Sequence, residues 1–195
     1  MTKHANAESE AGAAGLVSGG HLAGLLPRGA TAAAVAVASA ALVGGSFAEY
    51  GLSGRALFGA VLCPVLALLT AIDLRHHLLP NVIVLPATVV IAVIVAATAP
   101  GSFVGHAATG ALVGGVLLAA ALVVPAGLGM GDVKLGLLIG VALGAQTVVA
   151  MLVAALAVFA LSLVLLAIEG RAGLKRTIPF GPILGLGAVV AFFLS

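Results

Sequence analysis

The chain has no tryptophan, one tyrosine (Tyr50), one cysteine (Cys63) and very little charge: eight basic and six acidic residues in 195. Each scarcity excludes something. A soluble domain carries about a quarter charged residues, whereas here the share is 7%, too few to cover a water-exposed surface. A single cysteine excludes an internal disulfide and a zinc ribbon of paired cysteines. Cys63 stands in an apolar run beside Pro64 and reads as a small buried hydrophobe. Without tryptophan there is no aromatic belt to mark the membrane interfaces. No segment alternates between polar and apolar residues, so strands are not expected.

What fills the chain is hydrocarbon. Hydrophobic residues make up 63% and the mean hydropathy is +1.33. Residues 1–29 are the polar exception, with Lys3, His4, Glu8 and Glu10 followed by a Gly/Ala/Ser stretch that ends in Pro27 and Arg28. A signal peptide would pass directly from a short basic segment to an apolar core. Here the first long apolar run begins only near Ala30, so residues 1–29 read as a disordered cytosolic tail and 30–195 as one membrane domain.

Apolar runs over about 30–48, 55–72, 81–99, 103–125, 131–145, 147–168 and 178–194 predict seven spans, with six as the alternative. Most approach the ~20 residues that cross a ~30 Å hydrocarbon layer. In lipid the backbone must satisfy its own hydrogen bonds, and runs of this length do so as helices. An all-α, polytopic transmembrane bundle is therefore expected. The fifth run is short and must either draw on the preceding glycine loop or lie in a protein-lined, thinned region; a re-entrant hairpin is the alternative. Charge arbitrates. With seven crossings and a cytosolic amino terminus, Lys3, Arg28, Arg75, Lys134, Arg171, Lys175 and Arg176 share the cytosolic side and only Arg55 falls outside. A non-crossing fifth run would move Arg171, Lys175 and Arg176 out.

Two aspartates then stand at cytosolic helix ends. Asp73 ends the second span and Asp132 opens the fifth. Ionisable groups at membrane depth are costly and are usually functional or paired. The plainer reading makes them interfacial charges offset by Arg75 and Lys134. Their surroundings favour function. Asp132 lies in Gly127-Leu128-Gly129-Met130-Gly131-Asp132-Val133-Lys134, whose glycines let another chain approach the carboxylate. Asp73 lies in Asp73-Leu74-Arg75-His76-His77-Leu78-Leu79-Pro80-Asn81, and Ile178-Pro179-Phe180-Gly181-Pro182 precedes the last span.

These three segments, in this order, resemble the type IV prepilin peptidase family of Gly-x-Gly-Asp intramembrane aspartyl peptidases. The resemblance covers about residues 55–194. It implies an endopeptidase of the cell (inner) membrane whose cytosol-facing aspartates remove basic leader peptides from prepilins or pseudopilins. Asp73 and Asp132 would be catalytic. Gly129, Gly131, Lys134, Pro179, Phe180, Gly181 and Pro182 would bind substrate or support the site. Beyond substrate and lipid, no nucleic-acid partner, metal or cofactor is expected. Larger members carry a cytosolic domain with paired cysteines and also methylate the new amino terminus; the single cysteine here suggests a short, peptidase-only form.

The expected chemistry needs only two carboxylates. Held about 3 Å apart they cannot both ionise, so one activates water and the other protonates the leaving amine. Helix dipoles suggest Asp132 as the base and Asp73 as the acid. His76 and His77 are adjacent and do not project to one point, so they read as loop residues. Lys134 could hold the Asp132 carboxylate or anchor its helix at the headgroups. The backbone around Gly181 could pair with an extended substrate or simply start a helix. Gly110, Gly114 and Gly115 read as close-packing positions. A proton-coupled transporter and an inactive relative serving in pilus assembly are the alternative functions.

Overall fold

A computed structural model describes residues 24–76, 79–123, 129–170 and 180–195. Residues 1–23, and with them the tail expected there, lie outside the described residues, as do His77, Gly127, Pro179 and the basic residues Arg171, Lys175 and Arg176. The described residues form seven α-helices: α1 (Ala30–Tyr50), α2 (Gly54–His76), α3 (Asn81–Thr98), α4 (Phe103–Val123), α5 (Met130–Leu143), α6 (Thr147–Glu169) and α7 (Phe180–Phe193). Each coincides with one of the predicted apolar runs. Helix α2 continues one turn further than expected, so Asp73 lies inside its last turn rather than beyond it.

Among the described residues, five stretches are long and apolar enough to cross a membrane: α1, α2, α3, Pro100–Val123 and the 40-residue stretch Met130–Glu169. The chain is thus an all-α, polytopic membrane bundle. The 40-residue stretch is not one rod. It breaks at Gly144, whose φ of 54° favours glycine. A Cβ there would also lie 2.9 Å from the His106 ring, and that ring is fixed by a 3.0 Å hydrogen bond between Nδ1 and the Val141 carbonyl.

Contacts between helix ends give the directions. At one pole the Tyr50 hydroxyl donates to the Phe192 carbonyl (2.8 Å) and Arg55 donates to the Ser195 hydroxyl (2.7 Å). The end of α1, the start of α2 and the end of α7 therefore meet there, together with the start of α4 and the end of α5. At the other pole Lys134, near the start of α5, donates to Asn81, the first residue of α3, and Gly181 of α7 lies against Asp73 of α2. Successive helices thus run in alternating directions.

Helices α2, α3, α5 and α7 supply most of the core, through Leu62, Leu66, Leu69, Ile91, Leu138, Ile139, Leu184 and Phe192. The outer helices α1, α4 and α6 leave large apolar side chains such as Val37, Leu122 and Phe159 exposed, as suits a surface solvated by lipid. This explains the short fifth helix. At 14 residues it is about 21 Å long at 1.5 Å per residue, but it is wrapped by other helices along nearly its whole length. It also takes Met130 and Gly131 from the glycine loop.

Helices α4 and α5 touch through glycine. A Cβ on Gly140 would stand 2.5 Å from the Gly110 Cα and 3.0 Å from the Thr109 carbonyl, and one on Gly114 would meet Leu137 at 3.2 Å. Gly115, by contrast, faces open space and is not a packing position. Because the obstacle at Gly140 is backbone, Gly140→Ala is expected to force the two helices apart and cost about 1–3 kcal/mol. Gly115→Ala should be neutral. Thermal denaturation of both variants in detergent checks this.

Candidate active site

Asp132 owes its position to local helix chemistry. It is the third residue of α5, and its Oδ2 accepts the Gly129 N–H at 3.2 Å, the acidic half of a capping box. A carboxylate is favoured at this end by the helix dipole. Taken alone, that contact would make Asp132 an ordinary capping residue.

Asp73 is placed differently. It lies in the last turn of α2, where the dipole disfavours an anion, and it is only 7% exposed. Its neighbour Arg75 is exposed, and residues two apart on a helix do not face each other. What surrounds Asp73 comes from distant sequence. A Cβ on Gly181 would stand 2.5 Å from its Oδ2 and 3.1 Å from its Cγ. Leu79 fills the space beside them, 2.9 Å from where a Gly131 Cβ would be and 3.6 Å from a Gly181 Cβ. Two glycines on different helices thus let α5, α7 and the segment before α3 pack together beside one carboxylate.

Asp73 and Asp132 line the same cavity of about 280 Å³, with Leu79, Asn81, Gly129, Met130, Gly131 and Lys134. The Lys134 ammonium donates to the Asn81 Oδ1 at 2.6 Å. A larger cavity of about 500 Å³ lies at the opposite pole between Arg55, Phe58, His106 and Phe192, and none of the three motifs reaches it.

Of the residues singled out in the sequence, Asp73, Asp132, Gly129, Gly131 and Lys134 therefore share one cavity. Gly181 borders it through Asp73. Phe180 packs against the core and Pro182 sits in the first turn of α7, where its missing N–H costs no helix bond. The space over Gly181 is taken by Asp73, so this glycine serves close packing. Leu79 and Asn81 were not singled out as site residues, although both belong to the segment that follows Asp73.

The type IV leader peptidase family matches residues 60–173 of the chain. That is more than half of its length. The chain belongs to the type IV leader peptidase family. Among its relatives are the prepilin leader peptidase/N-methyltransferases of two Burkholderia pseudomallei strains, 1026b and K96243. Each is 32% identical over 176 residues, covering 86% of this chain and 56% of the relative. The chain spans about half the length of these curated relatives. No solved structure matches it. Both aspartates lie inside the matched region, whereas the segment from Ile178 to Pro182 lies just beyond it.

Proposed function

We propose that the protein is an aspartic endopeptidase that removes the leader peptide of prepilin-type proteins, with Asp73 and Asp132 as its catalytic pair. The observation that carries this reading is the shared cavity: two motif aspartates, 59 positions apart in sequence, line one small space in a member of this family. Asp132, at a helix amino terminus, is the base that activates water. Asp73, buried in a last helical turn, carries the shared proton to the leaving amine. Gly131 and Gly181 let Leu79 and Asp73 pack closely beside the cavity, while Phe180 and Pro182 lie in the first turn of α7. The proposal takes the peptidase half of the relatives' name, since that is the part the family match describes. Methyl transfer is not included. The test is coexpression with a prepilin carrying a basic leader. Leader removal, seen as a gel shift, is expected; an intact leader in the presence of well-accumulated protein overturns the reading.

Charge supports a cytosolic site in the inner membrane. Arg28, Arg75 and Lys134 lie at the aspartate pole and Arg55 at the other, the bias expected of a cytosolic face. With seven alternating helices, the end of α7 is then external. A reporter fused after Ser195 is expected to be active only if it is of the type that works when exported. Cytosolic reporter activity there would give an even number of spans.

A further inference from the structure

We propose that Asn81 is a positioning residue: it holds Lys134 at the rim of the aspartate cavity so that the ammonium can donate to a carbonyl oxygen of the bound peptide. This inference rests on the peptidase reading and adds a substrate contact to it.

The cavity's hydrogen-bonding groups decide what it can offer a peptide. Asp73 and Asp132 present carboxylate oxygens, which accept except for the shared proton that the reaction itself uses. Leu79, Met130, Gly129 and Gly131 bring no strong side-chain donor. Among the described residues, that leaves Asn81 and Lys134 as the side-chain donors of the cavity outside the aspartate pair. A peptide bond entering this space must leave water, and its carbonyl oxygen needs a donor in exchange. An ammonium has three N–H groups; one is committed to Asn81 at 2.6 Å, and the others are free in direction to meet a ligand.

Asn81 is what makes this geometry definite. Lys134 is two residues after Asp132 and does not share its helix face. Its stem is flexible enough to reach lipid headgroups, the anchoring role the sequence also allows. The Asn81 oxygen, on the first residue of α3, draws the ammonium across to that helix instead. A 2.6 Å bond to Oδ1 also orients the amide, since only the oxygen can accept. Asn81 thus acts through Lys134, and Lys134 touches the substrate.

Steady-state cleavage of a purified prepilin tests this, using Asn81→Ala, Asn81→Asp, Lys134→Met and the Asn81→Ala/Lys134→Met double variant. Loss of one hydrogen bond to a charged group corresponds to about tenfold or somewhat more in kcat/KM, so Asn81→Ala and Lys134→Met should each fall by about that factor. The double variant should match Lys134→Met alone, because removing the holder has no effect once the held group is gone. Asn81→Asp should recover to within a few-fold of the wild type, since its carboxylate oxygen can accept from the same ammonium. Multiplying losses in the double variant would overturn the proposal, as would full activity in Asn81→Ala or no recovery in Asn81→Asp. Loss of activity in the Asp73→Asn and Asp132→Asn variants alongside a silent Asn81→Ala would remove this inference and leave the peptidase reading intact.

Discussion

Replacing either aspartate by asparagine is expected to abolish leader removal, by about a thousandfold or more, while the protein inserts and accumulates like the wild type. Asparagine has nearly the shape of aspartate but can neither take a proton from water nor hand one to an amine. At Asp132 the substituted amide oxygen can still accept the Gly129 N–H, so the start of α5 keeps its cap; only the interaction of a charge with the helix dipole is lost, about 0.3–1 kcal/mol. At Asp73, which is buried, the change swaps a carboxyl for an amide of nearly the same shape, so the packing is kept. Stability and catalysis therefore separate. Groups that work as one unit are strongly non-additive, so the double variant should be no worse than either single one. The measurement is the gel shift of a coexpressed prepilin, with accumulation followed in parallel. Normal cleavage by a stably inserted Asp132→Asn protein would end the aspartic mechanism. Loss of proton-coupled uptake in the same variants would favour a transporter instead, although a site at helix ends rather than at mid-membrane is an unusual place for one.

The helices were legible because lipid imposes a simple rule. A run of apolar residues long enough to span hydrocarbon has no other regular form to take, and α1 to α7 follow the seven runs closely. The short fifth run resisted because its length makes sense only once its neighbours are known. Val133 to Leu143 reads no differently from a lipid-facing segment, yet it is the helix that the others enclose. The site divides in the same way. Asp132 and its glycines are a contiguous motif, and so is the segment from Asp73 to Asn81. What a contiguous motif does not give is which of its members meets the other motif. Leu79 sits between Gly131 and Gly181, and Asn81 binds Lys134 across 53 positions of sequence. Those pairings depend on the packing of α3 against α5. Closeness in sequence pairs Lys134 with Asp132, whereas the contact that fixes its ammonium comes from Asn81 on another helix.

Gly181→Ala is expected to be strongly damaging, although it removes no functional group. The added methyl would stand 2.5 Å from the Asp73 Oδ2 and 3.1 Å from its Cγ, well inside van der Waals contact. Neither side can yield cheaply. Leu79 already occupies the neighbouring space at 3.6 Å, and Asp73 is buried in a helical turn. The carboxylate must rotate away from its resting position, or α7 must withdraw and open the cavity wall. Displacements of about 1 Å in a reacting group cost on the order of a hundredfold in rate, so kcat should fall by about that factor. Binding should suffer less, because the lost quantity is the geometry of the pair and not a substrate contact. Gly129→Ala is the matched control. Its Cβ would lie 3.7 Å from the Asp132 Oδ2, an ordinary contact, and its φ of −81° suits alanine. That variant should cleave within a few-fold of the wild type. Were the glycines there only to keep a loop loose, the two alanines would act alike. A large loss at Gly181 beside a small one at Gly129 is the outcome that ties this glycine to the position of Asp73.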